Sequence, residues 1–372
     1  MAELSLCMIV KNEEHNLAYC LDCVSGIADE INIVDTGSTD KTIEIAKRYT
    51  DRIFYFKWID DFAEARNFSY SKATKDFIIW LDADDILTQE NKEKLLIVKK
   101  ELADIVDYVI MQYRIHYNED GSPSMIFPKA RITRRAKNIK WYNAVHESLG
   151  VFGNGLTAPV YIDHKYKNHI PSSERDMRIL RKEIISGRAG YAVYYFYALA
   201  NYYNNNLEDA ERYFQKVIDL CPPGAIDPID IYLGMHNIYK ARGSFDKARA
   251  ILEDNERLLS DKSEYYCCLG EFYKGIYNDL NKACDMYKQA LRCKGTFIRK
   301  DLPGQRNPDY YYYVPNMLLG KAYISLKEPE SALVYFKRAL SYKKNDEIEQ
   351  IVKKITRLEN LRGLEFAKIM NL

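Results

Sequence analysis

The segment IIWLDADDILTQEN, residues 78–91, runs from an apolar, strand-like stretch into three carboxylates at Asp82, Asp84 and Asp85. Like charges this close together repel one another unless a cation or hydrogen-bond donors hold them. Carboxylate oxygens are the ligands that Mg²⁺ and Mn²⁺ prefer, and these cations also bind phosphate oxygens. A D-x-D pattern at the end of a buried strand therefore predicts a site for one of them.

Two other interpretations of this acidic segment compete with the metal site. The spacing of Asp82 and Asp84 also fits the start of a calcium-binding loop, but Leu87 stands where such a loop requires glycine. The second alternative is purely structural, with Asp84 and Asp85 capping a helix that begins near Gln89. The calcium loop is excluded, and the capping role remains open.

Up to about residue 165, short apolar runs alternate with helical patterns. The predicted strands are LSLCMIV, EINIV, RIFYF, FIIWL and YVIMQY, and the predicted helices are 16–23, 40–49, 62–71 and 89–100. This alternation predicts an α/β domain with a mostly parallel sheet and helices on both faces. Ligands bind beyond the carboxyl ends of the strands in such sheets. We therefore expect residues 11–13, Asp35 and the D-x-D segment to lie at one edge.

Length and composition narrow the class of protein. A chain of 372 residues predicts two to three domains, and 47% hydrophobic with 29% charged residues is typical of globular proteins. A formal net charge of +1 gives no electrostatic basis for binding nucleic acid. No apolar stretch approaches the roughly 20 residues of a membrane span, and the first apolar run lacks the flanks of a signal peptide. We therefore expect a cytoplasmic protein without a nucleic-acid partner.

The C-terminal half is helical and weakly repetitive. A small residue followed by a large one four positions later recurs at Ala210, Ala248, Ala283 and Ala332, at spacings of 38, 35 and 49 residues. A period near 34 is the signature of tetratricopeptide repeats, although an irregular bundle of α-hairpins is the alternative. The predicted domains are an α/β nucleotide-sugar-binding domain at 1–168 and an all-α tetratricopeptide-like superhelix at 169–372. The amphipathic segment 347–370 is a candidate surface for a homodimer.

Four ordered motifs carry a resemblance to a known family. MIVKNEEHNLAYCLDCV, INIVDTGSTDKTIEIA, WIDDFAEARNFSYSKA and FIIWLDADD together resemble the family 2 glycosyltransferases, inverting enzymes of the GT-A fold. The layout of such a domain followed by repeats is also similar to bacterial enzymes that glycosylate peptides, including S-glycosyltransferases of glycopeptide bacteriocins. The resemblance implies a UDP-sugar donor and a bound Mn²⁺ or Mg²⁺ ion.

The resemblance also implies roles for individual residues. The implied nucleotide-sugar-binding residues are Val10, Lys11, Asn12, Glu13, Asp35, Arg66 and Asp82. The implied metal ligands are Asp84, as the direct ligand of the D-x-D, with Asp82 and His164. Asp35 would accept from the uracil imide, and the Arg66 guanidinium would pair with diphosphate oxygens.

Each of these roles has a plainer alternative. Asp35 is also a suitable turn residue before Gly37. Arg66 is also able to form a surface ion pair with Asp60 or Asp61. His164 alone in its segment is more typical of a structural histidine.

A later segment, RITRRAKNIKWYNAVHESL, matches the family's W-x-x-x-V-H-E signature. Inversion at the anomeric carbon needs a base that takes the acceptor's proton, and Glu147 or His146 is the candidate; the sequence does not decide between them. The basic residues Arg131, Arg134 and Arg135 have charges suited to facing phosphates, but alternation along an exposed strand is the simpler expectation.

These observations predict a metal-dependent inverting glycosyltransferase that moves a sugar from a UDP-sugar to an acceptor recruited by the repeats, such as a peptide side chain. One alternative is an enzyme that acts on a saccharide or a lipid-linked glycan. The alternative from another class is a non-catalytic, protein-binding repeat scaffold.

Overall fold

The N-terminal half is built on an eight-stranded sheet in the computed structural model, which describes residues 2–102, 105–117, 121, 123–164, 173–223, 225–293 and 309–369. The strands are β1 Leu4–Val10, β2 Glu30–Asp35, β3 Ile53–Tyr55, β4 Phe77–Trp80, β5 Asp85–Ile86, β6 Tyr108–Tyr117, β7 Pro123–Arg134, β8 Trp141–Tyr142, β9 Ser148–Leu149 and β10 Gly155–His164. The order in the large sheet is β3-β2-β1-β4-β7-β6-β10-β5, and β8 pairs with β9 separately.

Most pairings in the large sheet are parallel. β1 pairs in parallel with β2 and β4, β2 with β3, and β6 with β10. β7 runs antiparallel to both of its neighbours, β4 and β6. β1 and β4 are buried along nearly their whole length, which explains their continuous apolar runs. The predicted α/β class with a mostly parallel sheet is confirmed.

The helices of this half are α1 Leu17–Cys23, α2 Thr42–Ala46, α3 Phe62–Tyr70 and α4 Gln89–Glu101, close to the predicted ranges. α4 is capped by Thr88, whose side chain accepts from the main-chain nitrogen of Asn91. The alternative in which Asp84 and Asp85 cap this helix is therefore wrong. Their carboxylates need another explanation.

The described residues from 173 onward are mostly helical. The helices are α5 Ser173–Ile185, α6 Tyr191–Tyr203, α7 Leu207–Leu220, α8 Pro228–Ala241, α9 Phe245–Glu253, α10 Glu256–Leu259, α11 Ser263–Gly275, α12 Leu280–Ala290, α13 Asp309–Tyr312, α14 Val314–Ser325, α15 Pro329–Tyr342 and α16 Asp346–Ile369. Two compact units divide the chain, Met1–Cys221 and Pro222–Leu372, so that α5 to α7 belong with the sheet. The predicted boundary at 168/169 falls in 165–172, outside the described residues, and stays a prediction.

Consecutive helices pack in pairs through small residues. The four recurring alanines of the repeat are fully buried. A side chain at Gly270 of α11 would collide with the ring of Tyr287 on α12, and one at Gly320 of α14 with the ring of Phe336 on α15. Small residues on one helix and a large ring on the next let the two approach closely, as the repeat pattern predicts.

The C-terminal helix α16 uses part of its apolar face within the chain. Ile348 and Ile355 are buried in a cluster with Leu333 and Phe336 of α15. Homodimerisation through segment 347–370 remains a prediction, and its side chains beyond residue 358 lie outside the described ones. None of the helices in the described parts of the chain has both the length and the apolar character that a membrane crossing requires.

Candidate functional site

The loops that follow β1 and β2 are tied together at the carboxyl edge of the sheet. Val10, at the end of β1, is paired with Asp35, at the end of β2. Asn12 adopts a left-handed backbone (φ 57°); its main-chain nitrogen donates to Ser38 Oγ at 3.0 Å, and its Oδ1 accepts from the main-chain nitrogen of Thr39 at 2.8 Å. Residues 10–12 and Asp35 therefore lie next to one another at this edge of the sheet.

Asp35 is only 4% exposed and shapes the turn that follows it. Its carboxylate accepts from the main-chain nitrogens of Gly37 and Ser38, each at 3.1 Å. Gly37 has φ 109°, a conformation that favours glycine. The turn interpretation thus describes the local structure. A carboxylate offers about four acceptor positions, so the turn is compatible with a further donor from a ligand.

Arg66 of α3 joins two carboxylates that are distant in sequence. Its Nε donates to Glu147 Oε1 at 2.7 Å, and its Nη2 donates to Asp82 Oδ1 at 2.7 Å. The guanidinium carbon lies 4.8 Å from the ring centres of both Trp80 and Trp141. Arg66 is 7% exposed, so this is a buried charge network held between two aromatic rings.

The alternative of a surface ion pair for Arg66 is wrong. Asp60 pairs with Arg178, and Asp61 caps α3 by accepting from the main-chain nitrogen of Glu64. Burial acts to raise the pKa of Asp82, but the positive charge of Arg66 outweighs it and holds that pKa well below its usual range. Asp82 is therefore charged at neutral pH.

Asp84 lies in a cluster of like charges beside His164. The Nδ1 atom of His164 is 3.3 Å from Asp84 Oδ1 and 3.1 Å from Asp85 Oδ1. Burial raises the pKa of Asp84 to about 7; His164 opposes this, and the carboxylates Asp82, Asp85 and Glu13 reinforce it. The repulsion expected from the sequence is thus present, and a cation at this position would relieve it.

Asp85 and Arg131 form a fully buried ion pair that sequence reasoning missed. Arg131 Nη1 donates to Asp85 Oδ2 at 2.7 Å, and Tyr113 Oη donates to Asp85 Oδ1 at 2.9 Å. The expectation of an exposed strand is wrong for Arg131, because β7 lies between β4 and β6 and turns this side chain inward, 3.8 Å from the ring centre of Trp80. The R-x-x-R pattern in β7 gave no signal of this.

The donor set suits a divalent cation. Among the described residues, Asp82, Asp85 and His164 each offer one ligand atom, and these atoms lie within 4.8 Å of one another. Two of the three predicted ligands, Asp82 and His164, thus lie together. The third, Asp84, contacts His164 but is outside this three-residue group. Asp85 already accepts from Arg131 and Tyr113, so Asp84 has the less compensated charge. Carboxylates with an imidazole fit Mn²⁺ or Mg²⁺.

The two candidate bases point to different neighbours. Glu147 contacts Arg66 and is part of the charge network. His146 adopts a left-handed backbone (φ 54°), and its ring stacks on Phe196 of α6 with centroids 3.9 Å apart and planes at 22°. Burial lowers the pKa of His146, which favours the neutral imidazole. Both side chains are able to accept a proton.

Comparisons with known proteins agree with this organisation. Residues 5–155 match the family described as Glycosyl transferase family 2, and residues 191–223 and 315–346 match the Tetratricopeptide repeat. The SPbeta prophage-derived glycosyltransferase SunS of Bacillus subtilis is 31% identical over 175 residues, which cover 46% of this chain and 40% of that protein. A TPR repeat-containing protein of Synechococcus elongatus is 44% identical over 90 residues, 24% of this chain and 22% of that one.

An uncharacterized glycosyltransferase of Rickettsia prowazekii is 29% identical over 140 residues, 36% of this chain and 46% of that protein. Each of these matches spans less than half of the relative's own length. Among solved structures, the match to MamA covers 49% of this chain and 91% of the MamA chain, with a TM-score of 0.35 and 18% sequence identity. A similarity this partial adds nothing to the fold described above. The motifs, the sheet and the family matches together show that this chain carries an N-terminal family 2 glycosyltransferase domain and, after it, tetratricopeptide repeats.

Proposed function

We propose that this chain is a metal-dependent inverting glycosyltransferase that moves a sugar from a UDP-sugar to an acceptor recruited by the helical repeats, with a peptide side chain as the favoured acceptor. The observation that carries the proposal is the buried Arg66 network, which joins Asp82 of the D-x-D to Glu147. An ion pair at the surface does not have to be buried or to join two distant carboxylates. Binding a sugar diphosphate and stabilising the charge that develops during transfer do require charged groups that are held in fixed positions at one site.

The carboxyl edge of the sheet supplies the donor site. In this proposal the nucleotide-sugar is bound by Val10, Lys11, Asn12, Glu13, Asp35, Arg66 and Asp82. Asp84, Asp82 and His164 would hold Mn²⁺ or Mg²⁺, which supplies Lewis-acid stabilisation of charge on the diphosphate. Asp85, held by Arg131, keeps the segment that carries these ligands in place.

The reaction needs a proton acceptor close to the acceptor atom. As that atom bonds to the anomeric carbon, the bond to UDP breaks, UDP leaves with the electron pair, and the acceptor's proton passes to the base. Glu147 is favoured because Arg66 fixes its position within the charge network. Replacing Glu147 with Gln should abolish transfer, whereas replacing His146 with Gln should only reduce it; abolition in His146→Gln with transfer retained in Glu147→Gln would assign the base to His146.

The donor half of the proposal is tested by UDP release from a panel of UDP-sugars, with Mn²⁺, with Mg²⁺ and with EDTA. We expect release that requires a metal and is lost in Arg66→Ala, with Arg48→Ala as an exposed control. Among the described residues, the ion-pair partner of Arg48 is Glu44, and both side chains are 65% exposed. No UDP release and no UDP binding under any condition would contradict the proposal and favour the scaffold.

The acceptor half concerns the repeats, since stacked helix pairs form extended surfaces that bind peptides. A chain that ends after Cys221, where the first compact unit ends, should retain slow hydrolysis of the donor and lose transfer to a peptide acceptor. UDP binding by the shortened chain is the control for its folding. If it modified the peptide as well as the full chain does, recruitment by the repeats would be wrong. Transfer only to saccharide or lipid-linked acceptors would favour that alternative.

A further inference from the structure

We propose that the hairpin of α5 and α6 is a positioning element of the catalytic centre, in which Phe196 holds His146 and, through it, Glu147. This inference rests on the proposed function and extends it, because these two helices would otherwise be assigned to acceptor recruitment. The repeat match begins at residue 191, inside the hairpin.

The two residues just before the candidate bases are buried against the hairpin, whereas His146 itself is exposed. Its residues Ala144 and Val145 form one apolar cluster with residues of both helices, namely Ile179, Leu180, Val193 and Tyr197. The main core of the sheet is a different cluster. The position of segment 144–147 therefore depends on contacts that α5 and α6 supply.

The contact between Phe196 and His146 lies one residue from Glu147, which belongs to the charge network of Arg66. A non-glycine residue in the left-handed region is strained, and it persists only when its surroundings determine it. Here the surroundings are the stacked ring of Phe196, 3.9 Å away, and the neighbouring Glu147, bonded to Arg66. Loss of the ring would release His146 and loosen the placement of the Glu147 carboxylate.

The hairpin also holds the segment that leads into α3, the helix of Arg66. Arg178 of α5 pairs with Asp60, and Lys182 Nζ donates to the main-chain oxygen of Ile59 at 3.0 Å. The main-chain nitrogen of Phe62 donates to the oxygen of Ala144 at 2.8 Å. The two segments that present Arg66 and Glu147 are thus bonded to each other, and α5–α6 packs on both.

The test uses the full chain with Phe196→Leu, which removes the ring, and Phe196→Tyr, which keeps it. Tyr203→Ala is the matched control, because Tyr203 lies on the same helix and is 79% exposed. Misplacing a reacting group by about 1 Å costs up to about a hundredfold in rate. For Phe196→Leu we expect kcat to fall by about tenfold to a hundredfold, with KM for the UDP-sugar changed less than twofold. Phe196→Tyr should restore kcat.

A second readout does not depend on activity. The pKa of His146, followed by NMR and assigned with His146→Gln, should rise toward its ordinary value in Phe196→Leu, because the stacked Phe196 ring covers one face of a side chain that is otherwise exposed. The charged groups that also face His146 are Asp176 and Glu147, which raise its pKa, and Lys129 and Arg175, which lower it. These are unchanged in the variant.

The outcomes separate this inference from the proposed function. An unchanged kcat and an unchanged pKa of His146 in Phe196→Leu would overturn the positioning role. Equal losses of kcat in Phe196→Leu and Phe196→Tyr would also overturn it, since the ring would not be what matters. If no UDP-sugar is turned over by the native chain but the pKa of His146 still moves, the structural contact stands and the proposed function fails.

Discussion

Replacing Arg66 with Ala should destabilise the N-terminal unit far more than an ordinary surface substitution. Arg66 is 7% exposed and is the cation that contacts both Asp82 and Glu147. The substitution would leave two partly buried carboxylates without that cation and would open a gap between Trp80 and Trp141. Removing one partner of a buried ion pair costs about 3–5 kcal/mol.

The matched control is Arg48→Ala, where the same change breaks an exposed pair between Arg48, in the turn after α2, and Glu44 four residues earlier. Such pairs are worth about 0.3–0.5 kcal/mol. Arg66→Lys should lie between the two, because one ammonium does not reproduce both contacts of the guanidinium.

Urea unfolding followed by tryptophan fluorescence measures this directly. The three tryptophans, Trp58, Trp80 and Trp141, all lie in the unit Met1–Cys221, so the signal reports that unit alone. If Arg66→Ala lowered the free energy of unfolding by less than about 1 kcal/mol, no more than Arg48→Ala does, the buried network would be refuted and the surface-pair interpretation restored.

Four further changes have defined outcomes. Burial acts to raise the pKa of Glu30, but hydrogen bonds, chiefly from Thr74, hold it at about 2. The free energy of unfolding of the native chain should therefore fall by about 1–3 kcal/mol as the pH is lowered from 4.5 to 2. In Glu30→Gln, urea unfolding should show a smaller fall over this pH range. Thr88→Ala should lower the free energy of unfolding by about 1 kcal/mol, again measured by urea unfolding, because it removes the side chain that caps α4. Gly270→Ala should destabilise the second unit by about 1–3 kcal/mol, measured by circular dichroism, since the methyl group would overlap a buried tyrosine ring. Asp84→Asn should raise the melting temperature in EDTA, because it relieves repulsion among the carboxylates, and should remove any stabilisation by Mn²⁺.

Local sequence patterns predicted the parallel part of the sheet and the edge at which the ends of its strands meet. The apolar runs of β1, β2 and β4 end at Val10, Asp35 and the D-x-D segment, and neighbouring parallel strands bring such ends together. The small residues of the repeats likewise predicted close helix packing, because their spacing along the chain is a local pattern too.

Long-range pairing was not predictable in the same way. The strand β7 inserts antiparallel between β4 and β6, and only this placement turns Arg131 inward toward Asp85. That α5 and α6 fall in the same compact unit as the sheet was unpredictable for the same reason, because helical periodicity identifies an apolar face but not the partner that covers it. His164 is 79 residues from Asp85, and only the fold brings them together.

Calorimetric titration of UDP into the native chain and into Asp84→Asn, each with Mn²⁺ and with EDTA, tests the central claim of a metal-dependent donor site most directly. We expect binding to the native chain with Mn²⁺, and weak or no binding in EDTA or in Asp84→Asn. Arg48→Ala should bind as the native chain does. Binding that is indifferent to both the metal and Asp84, or no binding under any of these conditions, would contradict the account.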